Sequence, residues 1–172
     1  VGTSSVCSSD TASWDSIVGN TELMVLFGGI PVKNNQVING GVAKHSTEEW
    51  LKKAKEKGIE FINISPLRSD IPKFTDAKWL QIRPNSDTAL MLGLAHSLVI
   101  ENLHDKNFLE KNCTGYNKFE PYLLGTNDNQ PKDAKWASSI TEIPEEEILL
   151  LAKKMSSSRT MIATNWSLQR AE

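Results

Sequence analysis

The chain has 172 residues, 39% of them hydrophobic and 23% charged, with a formal net charge of −2 at pH 7 and a pI near 6.0. That is the composition of a globular domain of ordinary size, long enough to bury about 70% of its unfolded surface without staples. The slight negative charge argues against a surface built for nucleic acid or an anionic membrane, which needs clustered Lys and Arg. No run of residues approaches a membrane span. A phosphate-bearing ligand would therefore have to be held by backbone N–H groups and one or two placed Arg.

Residues 1–12 are rich in Ser, Thr and Gly and carry no apolar period. They read as a loose lead-in, taken as far as residue 19 with a short helix over 14–18; the folded domain is expected over 20–172. Leu23–Phe27 is the first strand and runs into Gly28 and Gly29. A polar connection over 34–44 precedes a capping pattern at Ser46, Thr47, Glu48 and Glu49. The helix it opens carries Trp50, Leu51 and Ala54 and ends at Gly58, a favoured residue just past a helix terminus. A second strand follows over 59–64, completing a strand–helix–strand unit with a parallel pair.

A third strand is expected over 78–82, then a helix over 88–100 that is apolar on nearly every face and so buried on most sides. Gly93 in its middle implies close packing against a neighbour. Short helices are expected over 105–113, 117–124 and 134–139, with a polar loop over 125–133. Pro144 opens the last helix, whose Glu145, Glu146 and Glu147 suit the positive first turn and whose Lys153 and Lys154 suit the negative end. Ser156, Ser157 and Ser158 break it before a fourth strand over 160–165. The fold class is α/β: three layers, a mostly parallel sheet with helices on both faces, dinucleotide-fold-like.

Each strand stops at polar residues, and in an open parallel sheet those ends share the carboxyl edge, where ligands bind. The G-x-G-x-x-G fingerprint of an ordinary NAD site is missing after the first strand. Lys33, Asn34 and Asn35 can reach a phosphate or sugar, or form a solvated turn. Ser65, Pro66 and Arg68 sit where a base or ribose would lie, with a guanidinium able to fork onto phosphate or stack on a ring; a Ser-Pro turn with a surface Arg is the alternative. Asn85, Ser86 and Asp87 offer either a helix cap or a carboxylate facing the adjacent N–H donors of guanine, with Ser86 free to take the cap. Trp166, Ser167 and Arg170 offer a flat ring and phosphate donors, or a core Trp with an exposed Arg. His45, His96 and His104 have no metal-ligand spacing, and no nucleophile–base pair is suggested. Cys7 and Cys113 are compatible with a disulfide and imply no framework.

Taken together, N-T-E-L-M-V-L-F-G-G-I-P-V-K-N-N (20–35), I-N-I-S-P-L-R-S-D (62–70), R-P-N-S-D-T-A-L-M-L-G-L-A-H-S-L (83–98), L-H-D-K-N-F-L-E-K-N-C-T-G-Y (103–116) and N-W-S-L-Q-R (165–170) resemble the molybdopterin oxidoreductases, in the branch that reduces dimethyl sulfoxide, trimethylamine N-oxide and biotin sulfoxide. The resemblance implies an internal piece of a much larger enzyme, holding part of a bis(molybdopterin guanine dinucleotide) molybdenum cofactor. It implies Lys33, Asn34 and Asn35 near phosphate and ribose, Ser65, Pro66 and Arg68 at the guanosine portion, Asn85, Ser86 and Asp87 at the guanine, and Trp166, Ser167 and Arg170 reaching in from the other side. Ser65 and Asn85 depart from the residues usual in that family. No catalytic or metal-ligating residue is expected in this piece. The implied partners are the remaining domains of the parent chain and an S-oxide or N-oxide substrate, with no nucleic acid and no membrane insertion. The implied compartment is the periplasm, or the cytoplasm for a biotin sulfoxide reductase type.

Overall fold

Leu23–Phe27 is five apolar residues with no polar interruption, the signature of a strand buried on both faces rather than one. In a computed structural model describing residues 12–35, 45–164 and 168, this segment is strand β1, and every residue of it is buried. It hydrogen-bonds on both sides. β2 (Glu60–Ile64) runs parallel to it with Val25 opposite Ile62, and β4 (Thr160–Thr164) runs parallel on the other side with Val25 opposite Ile162. β3 (Lys78–Leu80) pairs in parallel with β2, so the order among the described residues is β3-β2-β1-β4. An all-parallel sheet accompanied by helices is the α/β class expected. The expected third strand is shorter at its C-terminal end, and residue 165 of the expected fourth lies outside the described residues.

The described residues fall into two compact units, one within 12–80 and 159–164, the other Gln81–Ser158. In the first, the period-2 alternation of the strands puts Met24, Leu26 and Phe61 on one face. There they meet α1 (Trp14–Asn20) through Val18 and α2 (Thr47–Glu56) through Leu51 and Ala54. Trp14 and Trp50 stack with ring centres 6.3 Å apart, joining the two helices. Leu23, Val25 and Ile64 on the opposite face are buried as well. The amino end of β4 is tied to that of β1 across 137 residues of sequence: Arg159 donates from its backbone N–H and its guanidinium to the Glu22 carboxylate, at 2.9 and 3.0 Å. These bonds hold the Glu22 carboxyl below its ordinary pKa, the backbone donor contributing most.

The second unit is helical: α3 (Asp87–Ile100), α4 (Lys106–Asn112), α5 (Tyr116–Leu123), α6 (Ala134–Thr141) and α7 (Glu145–Ser157). Pro144 caps α7 rather than occupying its first turn. Asp105 and Asp133 cap α4 and α6 through bonds to Phe108 N and Trp136 N. The loop expected to be merely polar before α6 buries Lys132 to 3% exposure. Its ammonium donates to Asp128 Oδ2 at 2.6 Å and lies 4.4 Å from the centre of the Tyr122 ring. A charge so enclosed is tolerated because it is paired and lies over an aromatic face. No described helix is long and apolar enough to cross a membrane.

Gly93 packs as its position implied: a Cβ built there would lie 2.5 Å from Cβ of Ala137, itself fully buried on α6. Gly93→Val should therefore destabilise the chain by about 1–3 kcal/mol through overpacking. Denaturant unfolding checks this, with the paired change Ala137→Gly expected to relieve part of the loss.

Candidate functional site

The carboxyl ends of the four parallel strands lie along one edge of the sheet, as parallel pairing requires. The chain leaves β1 toward β2 and β3 and returns to the other side of β1 as β4. This reversal makes the β1–β4 boundary a topological switch point, the place where open α/β sheets bind ligands. β1 ends in two glycines with positive φ, 85° at Gly28 and 70° at Gly29. The turn they make brings the loop after β1 against the loop after β2. Gly28 N–H donates to Ile64 O at 2.8 Å, and Ile30 N–H donates to Asp70 O at 2.7 Å. A Cβ at Gly29 would sit 2.3 Å from Asp70 O, so only glycine fits this crossing. The two loops expected at the site are thus brought together.

Beyond the glycines, Val32–Asn34 is a single 3₁₀ turn. Lys33 and Asn34 are exposed on it, and Asn35 donates from its carboxamide to Pro31 O at 2.9 Å. After β2, Ser65 is buried to 1%. Its hydroxyl donates to Asp70 Oδ2 in a short bond and accepts from Leu67 N–H at 3.2 Å. Its carbonyl accepts from the Trp79 indole N–H at 2.8 Å. Ser65 is a pin for its own loop. Pro66 and Arg68 are exposed, and Arg68 begins a second 3₁₀ turn, Arg68–Asp70.

Beside that turn is a cavity of about 580 Å³ lined by Arg68, Ser69, Ile71, Lys73, Asp76 and Trp79 among others. Its size lies within the range of small-molecule and cofactor sites. It carries one aromatic wall, two cations, a carboxylate and a hydroxyl. Trp79 was not among the residues expected at the site; an aromatic on a short edge strand is the signal that could have found it. Asn63, opposite Trp79 in the register, is fully buried, and neither its Oδ1 nor its Nδ2 has a partner among the described residues. An orphaned carboxamide one residue from the carboxyl edge is a polar demand under the loops.

Arg83 to Asp87 opens α3 in the second unit. Asn85 is exposed with φ of 65°, the left-handed region Asn tolerates. Ser86 occupies the N-cap position but caps nothing. Its backbone is near-helical, φ −113° and ψ 9°, and its hydroxyl donates to Arg83 O at 2.6 Å. Capping needs an extended backbone that aims the side chain back at the helix N–H groups, and here it is missing. Ser46 departs in the same way at α2. Asp87 is half-buried. Burial raises its carboxyl pKa, opposed only by its own backbone N–H, and no cation is among the causes. Trp166, Ser167 and Arg170 lie outside the described residues. Among those described, no group of three His, Cys, Asp or Glu could hold a metal.

Two outcomes follow. Ser65→Ala strips a buried pin from its loop and should cost about 1–3 kcal/mol in denaturant unfolding with no ligand present. Asp87→Asn should do the opposite at neutral pH. A raised pKa means the folded chain holds the proton more tightly than the unfolded one, so ionisation opposes folding and stability falls as pH climbs through the window above the ordinary carboxylate pKa. The variant should melt higher than the parent at pH 7 and lose that advantage below the carboxylate range.

The family model for molybdopterin oxidoreductase matches residues 3–172. The chain is 40% identical over 171 residues to a biotin sulfoxide reductase of Cereibacter sphaeroides, covering 99% of this chain and 23% of that protein. It is 42% identical over 170 residues to a dimethyl sulfoxide/trimethylamine N-oxide reductase of the same organism, covering 99% and 20%. A trimethylamine-N-oxide reductase of Haemophilus influenzae is 40% identical over 162 residues, covering 92% and 19%. The acetylene hydratase structure from Pelobacter acetylenicus shares the fold, with a TM-score of 0.64 over 86% of this chain and 18% of that one at 22% identity. The chain thus spans about a fifth of the length of the curated relatives it matches. With its strand-end loops ordered as the sequence motifs implied and the family model matched from residue 3 to residue 172, the chain belongs to the molybdopterin oxidoreductase family.

Proposed function

We propose that this chain is the nucleotide-gripping segment of a larger molybdenum–pterin reductase that removes oxygen from S-oxides or N-oxides, and that the cofactor is the guanine dinucleotide form. The observation that carries this reading is identity of 40% and 42%, along 99% of the chain, to reductases named for such oxides. The cofactor supplies the redox chemistry when bound; this chain's residues supply recognition and orientation.

The residues present suit such a group. A pyrophosphate brings negative charge to a chain of net charge −2, so donors must be placed rather than plentiful. Exposed Lys33 and Asn34 and the fork of Arg68 are such donors. Gly29 allows the backbone approach on which the loop crossing depends. Asp87 has a desolvated carboxyl with no cation among the described residues to offset it, and guanine presents two adjacent N–H donors that would satisfy both of its oxygens. Adenine has no such pair, so this carboxylate selects guanine. Asp87 is then costly to the empty fold and useful to the filled one, the usual tension at a binding site. Asn85 and Ser86 shape the turn that presents it. Trp166, Ser167 and Arg170 complete the grip on this reading, and the parent enzyme works in the periplasm.

The test uses the full-length enzyme. Acid hydrolysis of the purified holoenzyme should release GMP, and reduced viologen should drive turnover of dimethyl sulfoxide or trimethylamine N-oxide. Asp87→Ala should lower the molybdenum and GMP content per mole of protein by about tenfold, the loss of one charge-assisted pair worth about 1.4 kcal/mol or more. Release of AMP or CMP, or full cofactor content in the variant, overturns the guanine assignment; absence of oxide turnover in a cofactor-loaded enzyme overturns the reductase assignment.

A further inference from the structure

We infer that the cavity beside the Arg68–Asp70 turn is a second ligand site, separate from the dinucleotide grip, and that it takes a planar, fused-ring aromatic anion. Ser69, Lys73 and Trp79 take no part in holding the dinucleotide, so the two sites stand or fall separately. The lining lies between Arg68 and Trp79, one stretch of chain within one compact unit. The volume of about 580 Å³ exceeds what a single aromatic ring fills and lies inside the range of small-molecule sites.

The wall is fixed before any ligand arrives. The Trp79 indole donates its N–H to Ser65 O at 2.8 Å, and its strand pairs with β2, which holds the ring in place. The polar edge of the indole is thereby spent, and the flat face is what remains for a ligand. Ile71, 7% exposed, ties the lining to the core. Lys73 stands on a stiff turn. Pro72 precedes the 3₁₀ turn Lys73–Thr75, and the buried Thr75 donates to Pro72 O from its hydroxyl at 2.7 Å and from its backbone N–H at 3.1 Å. Asp76 closes the turn with φ of 51°, a left-handed backbone that a residue other than glycine holds only under constraint. A loop so determined presents its side chains at low entropic cost.

The charges choose the ligand. Arg68 and Lys73 both line the cavity, and neither is in an ion pair among the described residues. The one carboxylate of the lining, Asp76, is 90% exposed and lies 3.7 Å from Lys55 Nζ, so solvent screens it and a cation offsets it. The field inside is positive. An aromatic cation is repelled, a neutral ring leaves both cations unanswered, and an aliphatic anion leaves the indole face unused. A fused-ring anion uses both features: its rings lie on the indole face and its charge meets the Lys73 ammonium, with the Ser69 hydroxyl as a further donor.

Calorimetric titration of the cofactor-loaded full-length enzyme with naphthyl phosphate reads the site. Binding is expected with a Kd of about 0.1–1 mM, the strength a ligand of this size reaches. Naphthylmethylammonium and inorganic phosphate should each bind about tenfold more weakly or worse. Lys73→Glu should weaken naphthyl phosphate by about tenfold or more, with molybdenum content and melting temperature unchanged because Lys73 is exposed. No measurable binding of naphthyl phosphate, equal binding of the aromatic cation, or a Lys73→Glu enzyme that binds as the parent does overturns the proposal. Loss of molybdenum in that variant overturns it equally, by returning the cavity to the dinucleotide site.

Discussion

The structure depends on β1 being paired on both sides and buried on both faces. A strand so enclosed cannot alternate polar and apolar residues, and Leu23–Phe27 does not. Its five residues fix the register of β2 on one side and β4 on the other, and the Arg159–Glu22 bonds anchor the second pairing at its start. Since the strands are parallel, every carboxyl end must emerge along the same edge. The arrangement of the strand-end loops follows from this geometry.

What the loops become is set by contacts the strands do not dictate. Gly28 and Gly29 turn the chain toward the β2 loop, and the crossing is so close that Asp70 O occupies the space a Cβ at Gly29 would need. Ser65 and Asp70 lock the β2 loop from beneath while Trp79 grips it from β3. With these polar groups satisfied internally, the side chains left outward include Lys33, Asn34, Pro66, Leu67, Arg68 and Ser69. A rigid base presenting a few free donors is the arrangement that holds a ligand at low entropic cost. Within one motif, Ser65 is a buried pin and Arg68, three residues on, is exposed.

The second unit works by a different economy. Gly93 and Ala137 let α3 and α6 approach without side-chain bulk, and Asp133 caps α6. Asp87, at the head of α3, stands apart from that logic. Its carboxyl is desolvated, and among the described residues no cation offsets that cost. Asp105, Asp128 and Asp133, by contrast, each accept a hydrogen bond from a backbone or side-chain donor.

The sequence by itself determined the class of fold, the order of the elements and the positions of the strand-end loops. These follow from local signals: apolar runs bounded by Gly, Pro and Asn, a 3.6-residue period, and helix ends such as Gly58 and Asp133 whose conformation the nearest residues impose. The ordered motifs also pointed to the family. Only the tertiary structure decided which residue in the β2 loop is pin and which is exposed. Ser86 and Ser46 look like caps in sequence but lack the extended backbone that capping needs, and that backbone is set by how the chain arrives. Lys132, buried over Tyr122, and Asn63, orphaned beneath the loops, leave no local mark, because burial is a property of neighbours distant in sequence. Trp79 became a wall of the cavity only when β3 paired with β2.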